Sequence, residues 1–193
     1  MSTGISVVRE RIARTNGQLL AATGDLAELS FSRRHGPRAP SVRFHLFHVS
    51  RSSDQIQSWL AESSPTIGEK LGRRPQLWIA QEIAKAWGMA DIELGNSGIG
   101  AGMSDDDAAS LPLPPRDVVT AYAKAAFAEI EHALGELEPD DFDLAARDFM
   151  VRDVPRWTSV GGALVHHLIH INRHLGMIEA LRGVLGVRGT ATQ

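Results

Sequence analysis

The chain contains no cysteine among its 193 residues. That absence excludes disulfide bonds, cysteine-ligated metal sites and a thiolate nucleophile supplied by the protein itself. Cysteine-free chains need no oxidising compartment, and the N-terminus lacks the apolar core of a secretory signal. We therefore expect a cytoplasmic protein.

Strong positive charge and long apolar runs are also missing. Lys and Arg number 20 against 23 Asp and Glu, for a net charge of -3, so the basic footprint of a nucleic-acid-binding protein is absent. No apolar run approaches the ~18 residues of a membrane-spanning helix. With 43% hydrophobic residues, the chain can bury a core as one domain, residues 1–193. We expect neither a nucleic-acid nor a membrane partner.

Four segments show apolar side chains at the three-to-four-residue spacing that predicts helices, whereas no run alternates long enough to predict a strand. The segments are residues 3–30, 41–63, 116–137 and 159–185. Pro65 follows the second, Pro115 precedes the third and Gly186 follows the fourth, which are the positions where these residues bound helices. The pattern predicts an all-α fold: a four-helix bundle with a long crossover connection between helices 2 and 3.

The crossover connection, residues 64–113, holds two features of its own. Residues 76–87 form a short amphipathic stretch that Gly88 would end. Residues 98–102 alternate glycine with small apolar residues, but they neither follow a strand nor have the spacing of a dinucleotide-binding loop. We interpret this glycine-rich run as a flexible cover or a plain connector.

Histidines are concentrated in the fourth segment. Four of the eight, His166, His167, His170 and His174, lie within nine residues. Residues four apart on a helix share a face with Cβ atoms ~6 Å apart, so His170 and His174 can reach one metal ion at ~2.0–2.1 Å. The same face includes His167 and Met177 and would point into the bundle, where unpartnered imidazoles are costly. A metal would satisfy them; the alternative is a set of hydrogen-bonded or partly exposed histidines without metal.

One helix cannot surround a metal, so the second segment must supply the third ligand. It carries His45 and His48. His48 lies in register with Trp59, close to three helical turns further on, in a stripe apolar enough to face inward. His45 lies on the same side of the helix as Ser41 and Ser52, which suggests a position at the rim of the buried helix face. The pattern therefore favours a three-nitrogen site built from His48 and the pair on the fourth helix, with an open position for water or substrate.

Other metal motifs do not fit. The residue after His170 is Ile171, so the His-Glu-x-x-His motif of zinc proteases is missing. A single Glu-x-x-His sequence occurs at residues 129–132, whereas a di-iron bundle needs two, and we interpret it as solvated surface. Arg173 and Arg182 could bind an anionic substrate, but we interpret them as exposed residues near a helix end.

These motifs resemble the DinB/YfiT-like superfamily of small helical metalloenzymes, the DNA-damage-inducible DinB family. The resemblance rests on Phe47-His48-Val49 with Asp54 downstream, and on the run from His170 to Ile178. It is sharp over residues 42–60 and 158–189 and topological elsewhere.

The resemblance implies that His48, His170 and His174 occupy the ligand positions of that family. Met177 stands where relatives often carry glutamine. The resemblance implies a metal-dependent enzyme that acts on a small molecule, since some relatives are similar to thiol-dependent S-transferases or isomerases and others to hydrolases. We expect one divalent transition metal, Zn, Ni or Fe. Because this chain has no cysteine, a thiol would be an external low-molecular-weight compound. The alternative is a non-catalytic metal-binding stress-response protein with a structural metal. We also expect a homodimer, since two-fold dimers are the commonest oligomers.

Overall fold

The computed structural model describes residues 3–146, 150–151, 154–155 and 159–189. Regular structure in these residues is almost entirely helical, which confirms the all-α class. The α-helices are α1 (Gly4–Gly24), α2 (Glu28–Ser32), α3 (Val42–Ser63), α4 (Pro65–Leu71), α5 (Leu77–Ala80), α6 (Ile83–Ala86), α7 (Asp105–Ser110), α8 (Arg116–Gly135) and α9 (Val160–Val184). A 3-10 helix covers Pro139–Asp143, and strands β1 (Met150–Val151) and β2 (Val154–Pro155) pair antiparallel. Within the described ranges, no helix has the length and apolar character needed to cross a bilayer.

The four long helices pack around one apolar core. α3 lies against α8 and α9, and α1 lies against the same two helices. Their fully buried side chains come from each helix in turn, for example Ile12, Leu46, Ile130 and Leu164. This packing brings the first turns of α3, which carry His45 and His48, against the middle of α9, which carries His170 and His174.

Helix starts follow from local chemistry. The Ser41 hydroxyl accepts the backbone N–H of Phe44 at the start of α3, and the Ser159 hydroxyl accepts that of Gly162 at the start of α9. Such caps satisfy N–H groups that have no partner inside the helix. Both long helices consequently begin within one residue of the predicted positions.

The prediction of one continuous helix over residues 3–30 is wrong. α1 ends at Gly24, and α2 begins four residues later. Arg182 contributes to this break, because its guanidinium donates to the Ala22 carbonyl at 2.7 Å and to Asp25 Oδ2 at 3.0 Å. The hydrogen bond from Arg182 lowers the pKa of the Asp25 carboxyl. Arg182 is therefore buried, 3% exposed, and not the exposed residue that the sequence suggested.

The amphipathic stretch at residues 76–87 forms two short helices, α5 and α6, instead of one. Glu82 separates them with a left-handed backbone conformation, φ 49°. Gly88 ends α6 with φ 68°, as expected for a residue that must adopt the left-handed region. This stretch therefore has local structure of its own, and α5 packs against α3.

Candidate metal centre

The three histidines predicted as ligands converge. His48 from α3 and His170 and His174 from α9 each offer one nitrogen, and these nitrogens lie within 4.8 Å of one another. The Nε2 atoms of His48 and His170 are 2.9 Å apart. His48 is 5% exposed, and the two α9 histidines are partly exposed. The geometry arises because the four-residue spacing on α9 presents two imidazoles to the side where α3 packs.

His48 has a defined tautomer. Its Nδ1 lies 2.7 Å from the carbonyl oxygen of Ile99. A carbonyl can only accept, so Nδ1 carries the proton and donates it. In neutral His48, Nε2 is then left with a free lone pair directed toward the other two histidines.

The two α9 histidines are also held in position through their Nδ1 atoms. His170 Nδ1 lies 3.2 Å from the hydroxyl of Ser52, and His174 Nδ1 lies 3.0 Å from His45 Nδ1. In each ring Nδ1 has a partner on α3, so Nε2 is the nitrogen that remains available to bind a metal. Metal-binding histidines characteristically have their second nitrogen bonded in this manner.

The expectation that His45 lies at the rim is wrong. His45 is 4% exposed, and Ser41 and Ser52 on its side of α3 are also buried. Every residue from 44 to 54 is buried, because the small serines let neighbouring elements pack closely on the polar side of the helix. Residues 44–54 of α3 therefore have no solvent-exposed face, and His45 contacts His174 in the protein interior.

The remaining residues of the predicted α9 face divide between the interior and the surface. His167 is 1% exposed, and its two ring nitrogens lie 3.5 Å from the Ser52 hydroxyl and 3.4 Å from the Ser53 hydroxyl. Met177 was expected to point inward but is 38% exposed, because Ile178 occupies the buried position one residue later. The clustered metal-binding group of the described residues contains neither residue.

Burial keeps these imidazoles neutral. Burial, with a smaller contribution from neighbouring His48, lowers the pKa of His170 to about 3 and that of His45 to about 4. Burial also lowers the pKa of His48 and His174. The rings therefore hold their lone pairs at neutral pH without competition from protons, as metal ligation requires.

A cavity of about 530 Å³ opens above the three histidines. Its walls come from α3, from α9 and from the glycine-rich run, with Phe44, Ile56, Ile169 and Arg173 among the lining residues. Sites for small molecules have volumes of roughly 300–1,000 Å³. The convergent nitrogens thus lie where a small molecule could reach them.

The glycine-rich run is held in place by α3 and is not a plain connector. Three α3 side chains, spaced so that they share one helix face, bond three consecutive backbone carbonyls. The pairs are His48 with Ile99 (2.7 Å), Arg51 Nε with Gly98 (3.2 Å) and Gln55 Nε2 with Ser97 (2.9 Å). These three hydrogen bonds, which we call the clamp, fix residues 97–99. The fixed segment forms a wall of the cavity and orients His48. Sequence reasoning missed the clamp.

Asp54 anchors the clamp. Its buried carboxylate accepts hydrogen bonds from the backbone N–H groups of Leu77 (2.8 Å) and Trp78 (2.9 Å) and from the Tyr122 hydroxyl (2.9 Å). It also pairs with Arg51 at 3.2 Å. Burial raises the pKa of the Tyr122 hydroxyl, so this group remains a donor. The network joins α3, α5 and α8, and it holds the guanidinium of Arg51 where it reaches the glycine-rich run.

Gly100→Ala should destabilise the protein by about 1–3 kcal/mol, since Gly100 has φ +88° and an added Cβ would lie 3.2 Å from the Phe44 ring. Phe44 stacks on His48 with ring centroids 6.0 Å apart, so the displacement would reach the site. Gly17→Ala is the matched control: Gly17 lies inside α1 with no atom within 4 Å of its added Cβ, and alanine there should stabilise by up to ~1 kcal/mol. Urea unfolding measures both; equal effects would show that Gly100 is under no such constraint.

Comparison with known proteins identifies the family. The family model of the DinB superfamily matches residues 11–178, and the chain belongs to that superfamily. The fold is similar to that in a crystal structure of a conserved protein from Enterococcus faecalis, with a TM-score of 0.73 and 15% sequence identity over 96% of this chain and 99% of that chain. At this identity the likeness shows the fold alone. A comparison with curated proteins found no match.

Proposed function

We propose that the protein is a metal-dependent enzyme whose single divalent transition-metal ion is held by Nε2 of His48, His170 and His174. The observation that carries the proposal is the set of contacts made by the Nδ1 atoms of these three histidines. Each Nδ1 already has a partner, and one nitrogen from each of the three rings lies within 4.8 Å of the others at the wall of an open cavity. Three protein ligands leave a position for substrate, as in catalytic sites, whereas structural sites are closed by four.

The residues suit such an ion. Three neutral imidazoles are ligands that Zn, Ni and Fe accept, and they leave the double positive charge uncompensated. When bound, the ion would supply Lewis-acid polarisation and a position for an anionic group of the substrate. The contacts from Ile99, Ser52 and His45 hold the rings in one orientation, and the apolar side chain of Phe44 covers His48.

We infer a reaction of the thiol-dependent transfer or isomerisation type, or a hydrolysis, on a small-molecule substrate. Because the chain has no cysteine, a thiol would be an external low-molecular-weight compound. The non-catalytic alternative needs a fourth protein ligand to close the site. His45 and His167 are the two nearby candidates, but each is engaged elsewhere, His45 with His174 and His167 with two serine hydroxyls. Their engagement favours the enzyme.

The proposal also covers the domain architecture and the cellular location of the protein. We infer that residues 1–193 form one domain, a four-helix bundle of α1, α3, α8 and α9 in which residues 64–113 are the crossover connection. The contacts of α3 and α1 with both other long helices support this arrangement. We place the protein in the cytoplasm, with neither a nucleic-acid nor a membrane partner.

The purified protein should hold about one divalent ion per chain, and removing it with a chelator should lower the melting temperature. A ligand at 100 times its dissociation constant stabilises the folded state by ~2.7 kcal/mol, which for a chain of this length corresponds to roughly 5–10 °C. Elemental analysis and thermal unfolding with and without EDTA measure this. Absence of a transition metal, with no uptake of added Zn²⁺ or Ni²⁺, would contradict the proposal.

A homodimer is also expected. α9 exposes large apolar side chains at Val165, Ile169, Met177 and Val184, and a second copy of the chain could cover them. Light scattering over a range of concentrations should give twice the monomer mass, and the mass of one chain at every concentration would contradict the expectation.

A further inference from the structure

We infer that the cavity above the metal centre takes a substrate bearing a carboxylate, and that Arg173 binds this carboxylate. The inference rests on the proposed function, because it places the reacting part of the same substrate over His48, His170 and His174. It concerns a second contact, at the wall of the cavity formed by α9.

Arg173 lies where such a contact is needed. It follows His170 by three residues on α9, immediately precedes His174 and lines the cavity. Arg173 is exposed, as the sequence suggested, but the helix continues to Val184, so this arginine does not lie near a helix end. In the described part of the chain, no hydrogen bond or ion pair engages its guanidinium, in contrast to Arg51 and Arg182, which are buried and bonded.

The charge of the cavity selects for an anion. Arg173 is the one permanently charged side chain among the described lining residues, which include neither Asp nor Glu. A divalent ion at the centre would add two more positive charges. The apolar side chains of Phe44 and Ile56 form a low-dielectric wall beside them, which strengthens attraction to an anion and repulsion of a cation.

The shape of the contact favours a carboxylate. A guanidinium is a planar fork that matches the two oxygens of a carboxylate, and such charge-assisted pairs are stronger than neutral hydrogen bonds. Phe44, Ile56 and Ile169 offer apolar surface to a hydrocarbon body that joins the carboxylate to the reacting group. An inorganic phosphate has no such body, so phosphate serves as the competing probe.

The test compares glutarate with butyrate, which lacks the second carboxylate. Calorimetric titration of the zinc-loaded wild type, Arg173→Gln and Arg11→Gln separates the contact from general charge, since Arg11 is exposed on α1 and does not line the cavity. Arg173→Gln should weaken glutarate binding roughly tenfold and butyrate binding by less than about twofold. Arg11→Gln should leave both unchanged, and Arg173→Lys should restore part of the loss. Zinc content is measured for each variant.

Any of the following results with the zinc-loaded protein would overturn the inference: glutarate affinity unchanged in Arg173→Gln, an equal loss in Arg11→Gln, or loss of bound zinc in Arg173→Gln. Phosphate binding that depends on Arg173 while glutarate binding does not would also overturn it, in favour of a phosphate subsite. If the wild type takes up no metal, the proposed function fails. Glutarate titration of the metal-free variants then decides the inference separately, with Arg173-dependent binding supporting it and absence of binding overturning it.

Discussion

Replacing His48 with alanine should weaken Zn²⁺ or Ni²⁺ binding by more than about 100-fold, whereas His45→Ala should weaken it by roughly 10–100-fold. His48 Nε2 lies 2.9 Å from His170 Nε2 and would contact the ion itself. His45 reaches only the outer nitrogen of His174, at 3.0 Å, so its loss would loosen one ligand without removing any.

Competition with a chelator of known affinity measures the two losses on one scale. His132→Ala is the matched control, because His132 lies on α8 with its side chain 65% exposed and does not line the cavity. It should leave the affinity unchanged. Equal losses in the two α3 variants, or a larger loss in His45→Ala, would show that His45 and not His48 supplies the third ligand.

Asp54→Asn should destabilise the protein by about 3–5 kcal/mol. The Asp54 side chain is fully buried, and the substitution would leave the charge of Arg51, itself 3% exposed, without its partner. Asparagine has one accepting oxygen, so its NH2 group would face one of the two backbone N–H donors at Leu77 and Trp78 and leave that donor without an acceptor. Because Arg51 holds the Gly98 carbonyl, metal affinity should fall as well, by less than in His48→Ala.

Urea unfolding measures this loss, with Asp91→Asn as the matched control. Asp91 is exposed, so its substitution should change the free energy of unfolding by less than ~0.5 kcal/mol. If Asp54→Asn is no more destabilising than Asp91→Asn, the Asp54 network does not hold α5 against α3. Unfolding of the metal-free protein separates this effect from metal loss.

Those features that depend on local sequence could be predicted. The predicted starts of α3 and α9 are correct within one residue, where Ser41 and Ser159 cap the helices, and the four-residue spacing of His170 and His174 fixes their shared face. A cap, a proline or a helical repeat acts within one or two turns, so its effect can be derived from neighbouring residues alone.

Features set by non-local contacts could not be predicted. The burial of His45 depends on what packs against the serine side of α3. The hydrogen bonds from Arg51 to Gly98 and from Gln55 to Ser97 join residues more than 40 positions apart. One signal was available: His48, Arg51 and Gln55 share a helix face, and Asp54 belongs to the motif that carries the family resemblance. Polar residues so placed on a buried helix require partners from elsewhere in the chain.

The central claim is that three histidines hold one ion with a position open to the cavity. A crystal structure of the zinc-loaded protein with anomalous diffraction at the zinc edge tests it most directly. The claim predicts one zinc per chain, bonded at ~2.0–2.1 Å to Nε2 of His48, His170 and His174, with a fourth ligand that does not come from the protein and faces the cavity. A zinc ion bonded to His45 or His167, or closed off by a fourth protein ligand, would contradict it.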